Sequence, residues 1–116
     1  MKKSDPIRPS HYDGDECMQC IAAFGDPRAF CFGNAIKYLW RLGRKGGSDK
    51  VKEDIDKALW YVQWYVTYSG ILSPLDAKIV RGLHTISDAA ISAYLKNDAY
   101  DCRPAIRELQ VSHGEL

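Results

Sequence analysis

Apolar residues recur along this chain every three to four positions, and no stretch alternates between apolar and polar residues for the length of a strand. A first helix is predicted from apolar residues at the spacing i, i+3, i+4 and i+7, namely Cys17, Cys20, Ile21 and Phe24. Gly25 is expected to end this helix. The periodicity predicts an all-α protein.

The second predicted helix carries its apolar and polar residues on different faces. Asp26 and Pro27 supply an N-cap and a first-turn proline, and the helix is expected to run to about Gly43. Its apolar stripe consists of Phe32, Ile36, Leu39 and Trp40. A separate face carries polar residues at i, i+3 and i+7, which are Asn34, Lys37 and Arg41. We expect the stripe to enter the core and the polar face to bind a partner or ligand.

The third predicted helix, from about Lys50 to Tyr68, is apolar around most of its circumference. Its core stripe consists of Val51, Ile55, Ala58, Leu59, Val62 and Val66. The rest of its C-terminal half is aromatic, with Trp60, Tyr61, Trp64, Tyr65 and Tyr68. A helix of this kind is buried on more than one side, so in a small chain the pattern predicts a homo-oligomer.

Two further helices complete the predicted bundle. Ser73 and Pro74 are typical of a helix start, and Asn97 is expected to stop this fourth helix. Its core face consists of Ile79, Leu83, Ile86, Ala90 and Tyr94. A short last helix is predicted from Pro104 to Leu109. We therefore expect a compact bundle of four to five helices.

The composition limits the class of protein. The 116 residues are expected to form one domain, with an extended arm at 1–13, a motif region at 14–68 and additional C-terminal helices at 73–110. No apolar run approaches the ~20 residues of a membrane span, and no signal sequence follows Met1, so we expect a cytosolic protein with no membrane partner. In that compartment Cys17, Cys20, Cys31 and Cys102 are expected to stay reduced.

The charge of the chain is small in sum but uneven along its length. A formal net charge of +1 argues against a protein that coats nucleic acid, yet residues 28–52 carry seven bases and one acid. Lys37 and Arg41 are one helical turn apart, and Arg44 and Lys45 follow the helix end. Arginine forks and glycine-rich turns bind phosphate, whereas the alternative is a solvated face that complements the helix dipole. The segment after Gly43 does not fit a Walker A loop.

Other candidate chemistry is weaker. The aromatic side chains could stack on nucleobases or form a subunit interface. Cys17 and Cys20 lie on a predicted core face, which favours packing over zinc binding. Glu16 and Asp54 are the acids best placed for Mg²⁺, although acids in first turns commonly complement the helix dipole, and no metal site is predicted. His11 could bind phosphate or act as a general acid, but no nucleophile with a neighbouring base can be assembled.

Three spaced motifs resemble a bacteriophage domain family of unknown function. They are His11-Tyr12, then Gly33-Asn34-Ala35-Ile36-Lys37-Tyr38 with Arg41 and Lys45, then Glu53-Asp54-Ile55-Asp56-Lys57-Ala58-Leu59-Trp60-Tyr61. The resemblance runs from about residue 8 to 66 and implies a phage protein in the host bacterial cytoplasm. Some relatives carry the label of nucleotide kinases for deoxynucleoside monophosphates, without a P-loop. Small helical phage proteins of similar build sequester nucleotide signals of bacterial immunity. The motif residues overlap the basic and aromatic positions selected above, and they add Asp54 and Lys57.

These observations lead to one principal hypothesis and two alternatives. The principal hypothesis is a homo-oligomer that sequesters a phosphorylated or cyclic nucleotide signal in a pocket near or between subunits, without catalytic residues or a cofactor. The expected ligand-binding residues are His11, Tyr12, Asn34, Lys37, Tyr38, Arg41, Arg44, Lys45 and Tyr61. The first alternative is a kinase-like phosphotransferase that uses Mg²⁺, and the second is a structural or protein-interaction module. Nucleic acid is not an expected partner, because no recognised binding motif is present.

Overall fold

The computed structural model describes residues 15–42 and 48–114, and every regular element in these two ranges is an α-helix. The helices are α1 (Asp15–Ala23), α2 (Arg28–Trp40), α3 (Ser48–Ser69), α4 (Pro74–Leu95) and α5 (Arg103–Gly114). This confirms the prediction of an all-α bundle. None of the described helices is both long and apolar enough to cross a membrane.

The start of α4 follows its sequence closely. The Ser73 hydroxyl accepts a hydrogen bond of 3.0 Å from the Asp76 backbone N–H, and Pro74 occupies the first turn, as predicted. At the other end, Asn97 takes a positive φ of 59°, a conformation that asparagine tolerates better than most residues. Local side-chain chemistry therefore sets both ends of the helix.

Several other helix boundaries differ from the prediction. Pro27 occupies the N-cap of α2, so Asp26 lies one position before the cap. The Asp26 carboxylate accepts a hydrogen bond of 2.9 Å from the Arg28 backbone N–H. The cap assignment was therefore wrong by one residue. The last helix starts at Arg103 and extends to Gly114, five residues beyond its predicted end at Leu109.

The core lies where α2 crosses α3, and α4 and α5 close it from the other side. Ile55, Ala58 and Val62 of the predicted α3 stripe are buried, and so are Tyr61 and Tyr65. These two tyrosines fill the core of a single chain, so their burial does not require a partner subunit. A smaller part of the aromatic surface of α3 remains for an interface.

The apolar face of α2 is rotated from the predicted one. Ala35 and Tyr38 are buried beside Phe32 and Leu39, whereas Trp40 is 37% exposed. The rotation places Ile36 and Trp40 along an apolar groove of about 290 Å³ between α2, α4 and α5. The prediction for Trp40 was wrong because the Tyr38 ring packs on Tyr61 and takes the inward position.

The apolar face predicted for α1 was wrong in part, although Ile21 does pack against the core. Met18 is fully buried, Cys20 is exposed and Phe24 is 94% exposed. Methionine is long and flexible enough to fill an irregular gap, so the helix buries Met18 in preference to the two thiols. The Cys17-x-x-Cys20 pair is therefore not the core element that the sequence predicted.

Candidate anion-binding site

Three cationic side chains surround the ring of Tyr38 on the seam between α2 and α3. Lys37 Nζ lies 4.7 Å from the ring centroid, Arg41 Cζ 5.0 Å and Lys57 Nζ 5.4 Å. Lys37 lies in α2, Arg41 is the C-cap residue of α2, and Lys57 lies in α3. We call Lys37, Tyr38, Arg41 and Lys57 the Tyr38 cation cluster. The electron-rich face of the ring attracts the three cations to one place.

The Tyr38 ring is held in place from within the core. It is only 8% exposed and stacks on the fully buried Tyr61 ring, with centroids 6.1 Å apart and planes at 13°. Phe30 and Trp60 meet Tyr61 edge-on at 5.8 and 5.1 Å. Edge and offset contacts of this kind favour one fixed arrangement. In this arrangement Tyr61 supports the Tyr38 ring and is not itself exposed to a ligand.

Arg41 is oriented by a buried carboxylate. Its Nε and Nη2 donate to the two oxygens of Asp54, at 3.2 and 3.0 Å. Asp54 is 1% exposed, and its hydrogen bond is the main cause that raises the pKa of Arg41. The carboxylate of Asp54, one of the two acids considered for Mg²⁺, is thus occupied by the guanidinium. Among the described side chains no group of three His, Cys, Asp or Glu residues could hold a metal.

The cations in and around the cluster are not all in ion pairs. Arg41 is matched by Asp54, and Lys50 is matched by Glu53 at 3.0 Å. Lys50 donates a hydrogen bond to Glu53, and this bond is the main cause that lowers the pKa of Glu53. The positive charge of Lys57 is the next cause. Across residues 15–42 and 48–114, no described carboxylate lies within 4.0 Å of the ammonium group of Lys37 or Lys57. Neither lysine of the cluster is thus in a direct ion pair with a described carboxylate.

The remaining predicted site residues fall into two groups. Asn34 is half-buried, and its amide donates a 2.8 Å bond to the Phe30 carbonyl one turn earlier, which holds its side chain against α2. His11, Tyr12, Arg44 and Lys45 lie outside the described residues. The structure brings together Lys37, Tyr38, Arg41 and Tyr61 from the predicted set.

Lys57 is the residue that the predicted site set omitted. It lies twenty positions after Lys37, on a helix that was selected for its aromatic residues and not for its charges. A signal was present, since Lys57 follows Asp54 by three positions and belongs to the third motif. Helical spacing places such residues on one face, so Asp54 and Lys57 can both face α2.

A second buried carboxylate joins three helices away from the cluster. Asp76 on α4 accepts a 2.6 Å bond from Arg28 Nε on α2 and a 3.0 Å bond from the Tyr65 hydroxyl on α3. Burial raises the pKa of Tyr65. Because the Asp76 carboxylate contacts partners within the bundle, its geometry indicates a structural tie.

Comparison with known proteins places the cluster inside a family match. Residues 7–63 match the family described as "Protein of unknown function (DUF3310)". The matched segment is just under half of the chain and contains every residue of the Tyr38 cation cluster, together with Asp54 and Tyr61. It ends within α3, so α4 and α5 lie beyond it.

A curated phage protein is also similar. The "Gene 1.7 protein" of Enterobacteria phage T3 is 33% identical over 75 residues, which cover 60% of this chain and 46% of that protein. The chain thus spans less than half the length of this curated relative. No solved structure matches the chain. Together, the DUF3310 match and the phage relative support a phage small-protein domain of unknown function.

Proposed function

We propose that this phage protein binds a phosphorylated nucleotide and that the Tyr38 cation cluster holds the phosphate. The observation that carries the proposal is the convergence of Lys37, Arg41 and Lys57 on one buried ring, with neither lysine in a direct ion pair with a described carboxylate. The Tyr38 ring attracts each cation, but the three cations repel one another, and an anion bound among them would offset that repulsion.

The chemistry of the three groups suits a phosphate in particular. A phosphomonoester carries about −1.5 to −2 charges at pH 7, which two lysines, Lys37 and Lys57, can neutralise together. The guanidinium of Arg41 adds directional N–H donors, and two lysines add mobile point charges. We include Arg44 and Lys45 in the proposed phosphate-binding set because they follow Arg41 within four residues.

The nucleoside part of the ligand is proposed to contact the edge of the cluster and the first motif. Tyr38 is only 8% exposed, so a base is not proposed to stack on the whole face of its ring. His11 and Tyr12 are proposed to supply further polar and stacking contacts, and Asn34 a directional hydrogen bond. This assignment follows from their place in the motifs and in the matched segment.

Binding without turnover is favoured by the state of the carboxylates at the site. Asp54 is engaged by Arg41, and Glu53 by Lys50, so neither described acid is left to act as a base or to hold Mg²⁺ on a ligand. We therefore propose sequestration of a nucleotide signal of host immunity in the host bacterial cytoplasm. A kinase-like phosphotransferase that used Asp54 or Glu53 would need the ion pair of that acid to open.

Self-association is proposed to use the aromatic end of α3. Trp64 and Tyr68 stack with centroids 5.0 Å apart, and Tyr68 remains 52% exposed at the helix end. Tryptophan and tyrosine are enriched at subunit interfaces, because each offers a large apolar area with a polar group. The proposed homo-oligomer would bury this stacked pair.

The test is a depletion and release assay. Purified protein is incubated with a panel of nucleoside mono- and triphosphates and cyclic nucleotides, with and without Mg²⁺, and free ligand is measured before and after heat denaturation. Depletion followed by release of the intact ligand is the expected result. A new phosphorylated or cleaved product would replace sequestration with the phosphotransferase, and no depletion of any nucleotide would refute the proposal. A Lys37→Gln/Lys57→Gln double variant should deplete far less of the bound nucleotide than wild type does.

A further inference from the structure

We infer that Asp54 is a positioning residue for phosphate binding, which acts by holding Arg41 in place. The inference rests on the proposed function, and it assigns a role to a carboxylate that cannot itself attract an anion. It starts from the fork between Asp54 and Arg41, in which both carboxylate oxygens accept hydrogen bonds from one guanidinium.

The fork leaves part of the guanidinium available. An arginine side chain has five N–H donors, and Asp54 accepts from Nε and from Nη2. The other donors of the group are left for a ligand, and about a third of the Arg41 side chain is exposed. Because a guanidinium is planar, fixing two of its donors also fixes the directions of the others.

Asp54 also opposes a repulsion that would otherwise displace Arg41. Lys37 and Lys57 lie around the same ring as Arg41, so each of them repels the guanidinium. Asp54 is 1% exposed and lies on α3, and its charge attracts the α2 arginine toward the core. Without that attraction, we expect Arg41 to turn toward solvent and leave the two lysines.

The test is a cycle of variants titrated with inorganic phosphate and followed by NMR of backbone amides. Asp54→Asn should weaken phosphate binding by about five- to tenfold, because Arg41 then has to be ordered on binding. In an Arg41→Ala background the same substitution should leave the affinity unchanged or slightly improve it, since only a repulsive charge is removed.

Three outcomes would overturn the inference. A loss of affinity in both backgrounds would assign Asp54 a merely structural role, and a gain in both would make it a simple repulsive charge. An Arg41→Lys variant keeps the charge, and if it binds phosphate as well as wild type, the fork is unnecessary. Because this variant does not change Asp54, it also provides the test if Asp54→Asn does not fold.

Asp76→Asn is the matched control, since Asp76 is another buried carboxylate that accepts a bond from an arginine. It should lower stability without changing phosphate affinity. If wild type binds neither inorganic phosphate nor any nucleotide of the depletion panel, both the proposed function and this inference fail; if it binds a nucleotide but no inorganic phosphate, only this inference fails. If wild type binds but the cycle shows no coupling between Asp54 and Arg41, only this inference fails.

Discussion

The sharpest prediction concerns the two lysines of the Tyr38 cation cluster, Lys37 and Lys57, tested as separate glutamine variants. Two unit charges 4 Å apart interact by about 1 kcal/mol in water and about 4 kcal/mol at an effective dielectric constant of 20. Lys37 is exposed, so we expect Lys37→Gln to weaken nucleotide binding by about 1 kcal/mol, roughly fivefold. Lys57 is half-buried, so Lys57→Gln should weaken it by about 2 kcal/mol, roughly thirtyfold.

The assay is isothermal titration calorimetry with the nucleotide found in the depletion panel, at low and at physiological salt. Lys52→Gln is the matched control on α3, because the Lys52 side chain is 61% exposed and pairs with Asp56 at 2.9 Å. Its effect should stay below about 0.5 kcal/mol, as is usual for exposed ion pairs. If Lys52→Gln weakens binding as much as Lys57→Gln, the affinity comes from overall charge, and the assignment of the cluster is refuted.

Three further predictions test the scaffold. Asp76→Ala should lower the free energy of unfolding by about 2–3 kcal/mol in urea, because the partly exposed Arg28 loses its ion pair and the Tyr65 hydroxyl loses its bond to a carboxylate. Tyr65→Phe should lower it by only about 1 kcal/mol, and equal losses would contradict the network. Burial raises the pKa of Cys31 and Cys102 from 9.0 to about 12, so the native state keeps protons that the unfolded state loses. Between pH 9 and about 12 the free energy of unfolding should therefore fall as the pH rises, by about 1.4 kcal/mol per pH unit for each thiol. A Cys31→Ala/Cys102→Ala variant should lack this decrease. Tyr68→Ser should shift the protein toward monomer in light scattering coupled to size exclusion, and an unchanged mass would remove this surface from the interface.

The sequence was informative where local chemistry decides the structure. The Ser73 cap and the Pro74 turn were predictable because each depends on residues within four positions of one another. The same holds for the cationic face of α2, whose members Lys37 and Arg41 are one turn apart. Periodicity alone also predicted the helical class.

The sequence was less informative where two helices have to meet. Tyr38 was predicted to contact a ligand, and its burial follows from a stacking partner on another helix, Tyr61. The fork from Arg41 to Asp54 likewise joins side chains thirteen positions apart on different helices. Their pairing depends on the crossing of α2 and α3, which no local pattern specifies. For the same reason Lys57 was omitted from the predicted set.

The cluster also allows a test that separates ligand binding from folding. Replacing Lys57 by glutamine removes a repulsion from Lys37, which lies within about 10 Å of it because both ammonium groups approach the same ring. The same change removes a cation–π contact with Tyr38 of about 0.5–1 kcal/mol. These effects oppose each other, so the melting temperature of the ligand-free variant should stay close to that of wild type.

The ligand-induced change should differ sharply between the two proteins. At a ligand concentration of 100 times the wild-type Kd, wild type gains about 2.7 kcal/mol, whereas a variant that binds thirtyfold more weakly gains about 0.9 kcal/mol. At roughly 4 °C per kcal/mol for a domain of this size, the melting temperature should rise by about 11 °C and about 4 °C respectively. A Lys57→Gln protein that melts several degrees lower without ligand, yet keeps the full shift with it, would make Lys57 part of the scaffold. An unchanged melting temperature without ligand, together with a smaller rise on binding, would make Lys57 part of the site. Only the loss of a ligand-binding group reduces the rise while leaving the ligand-free fold unchanged.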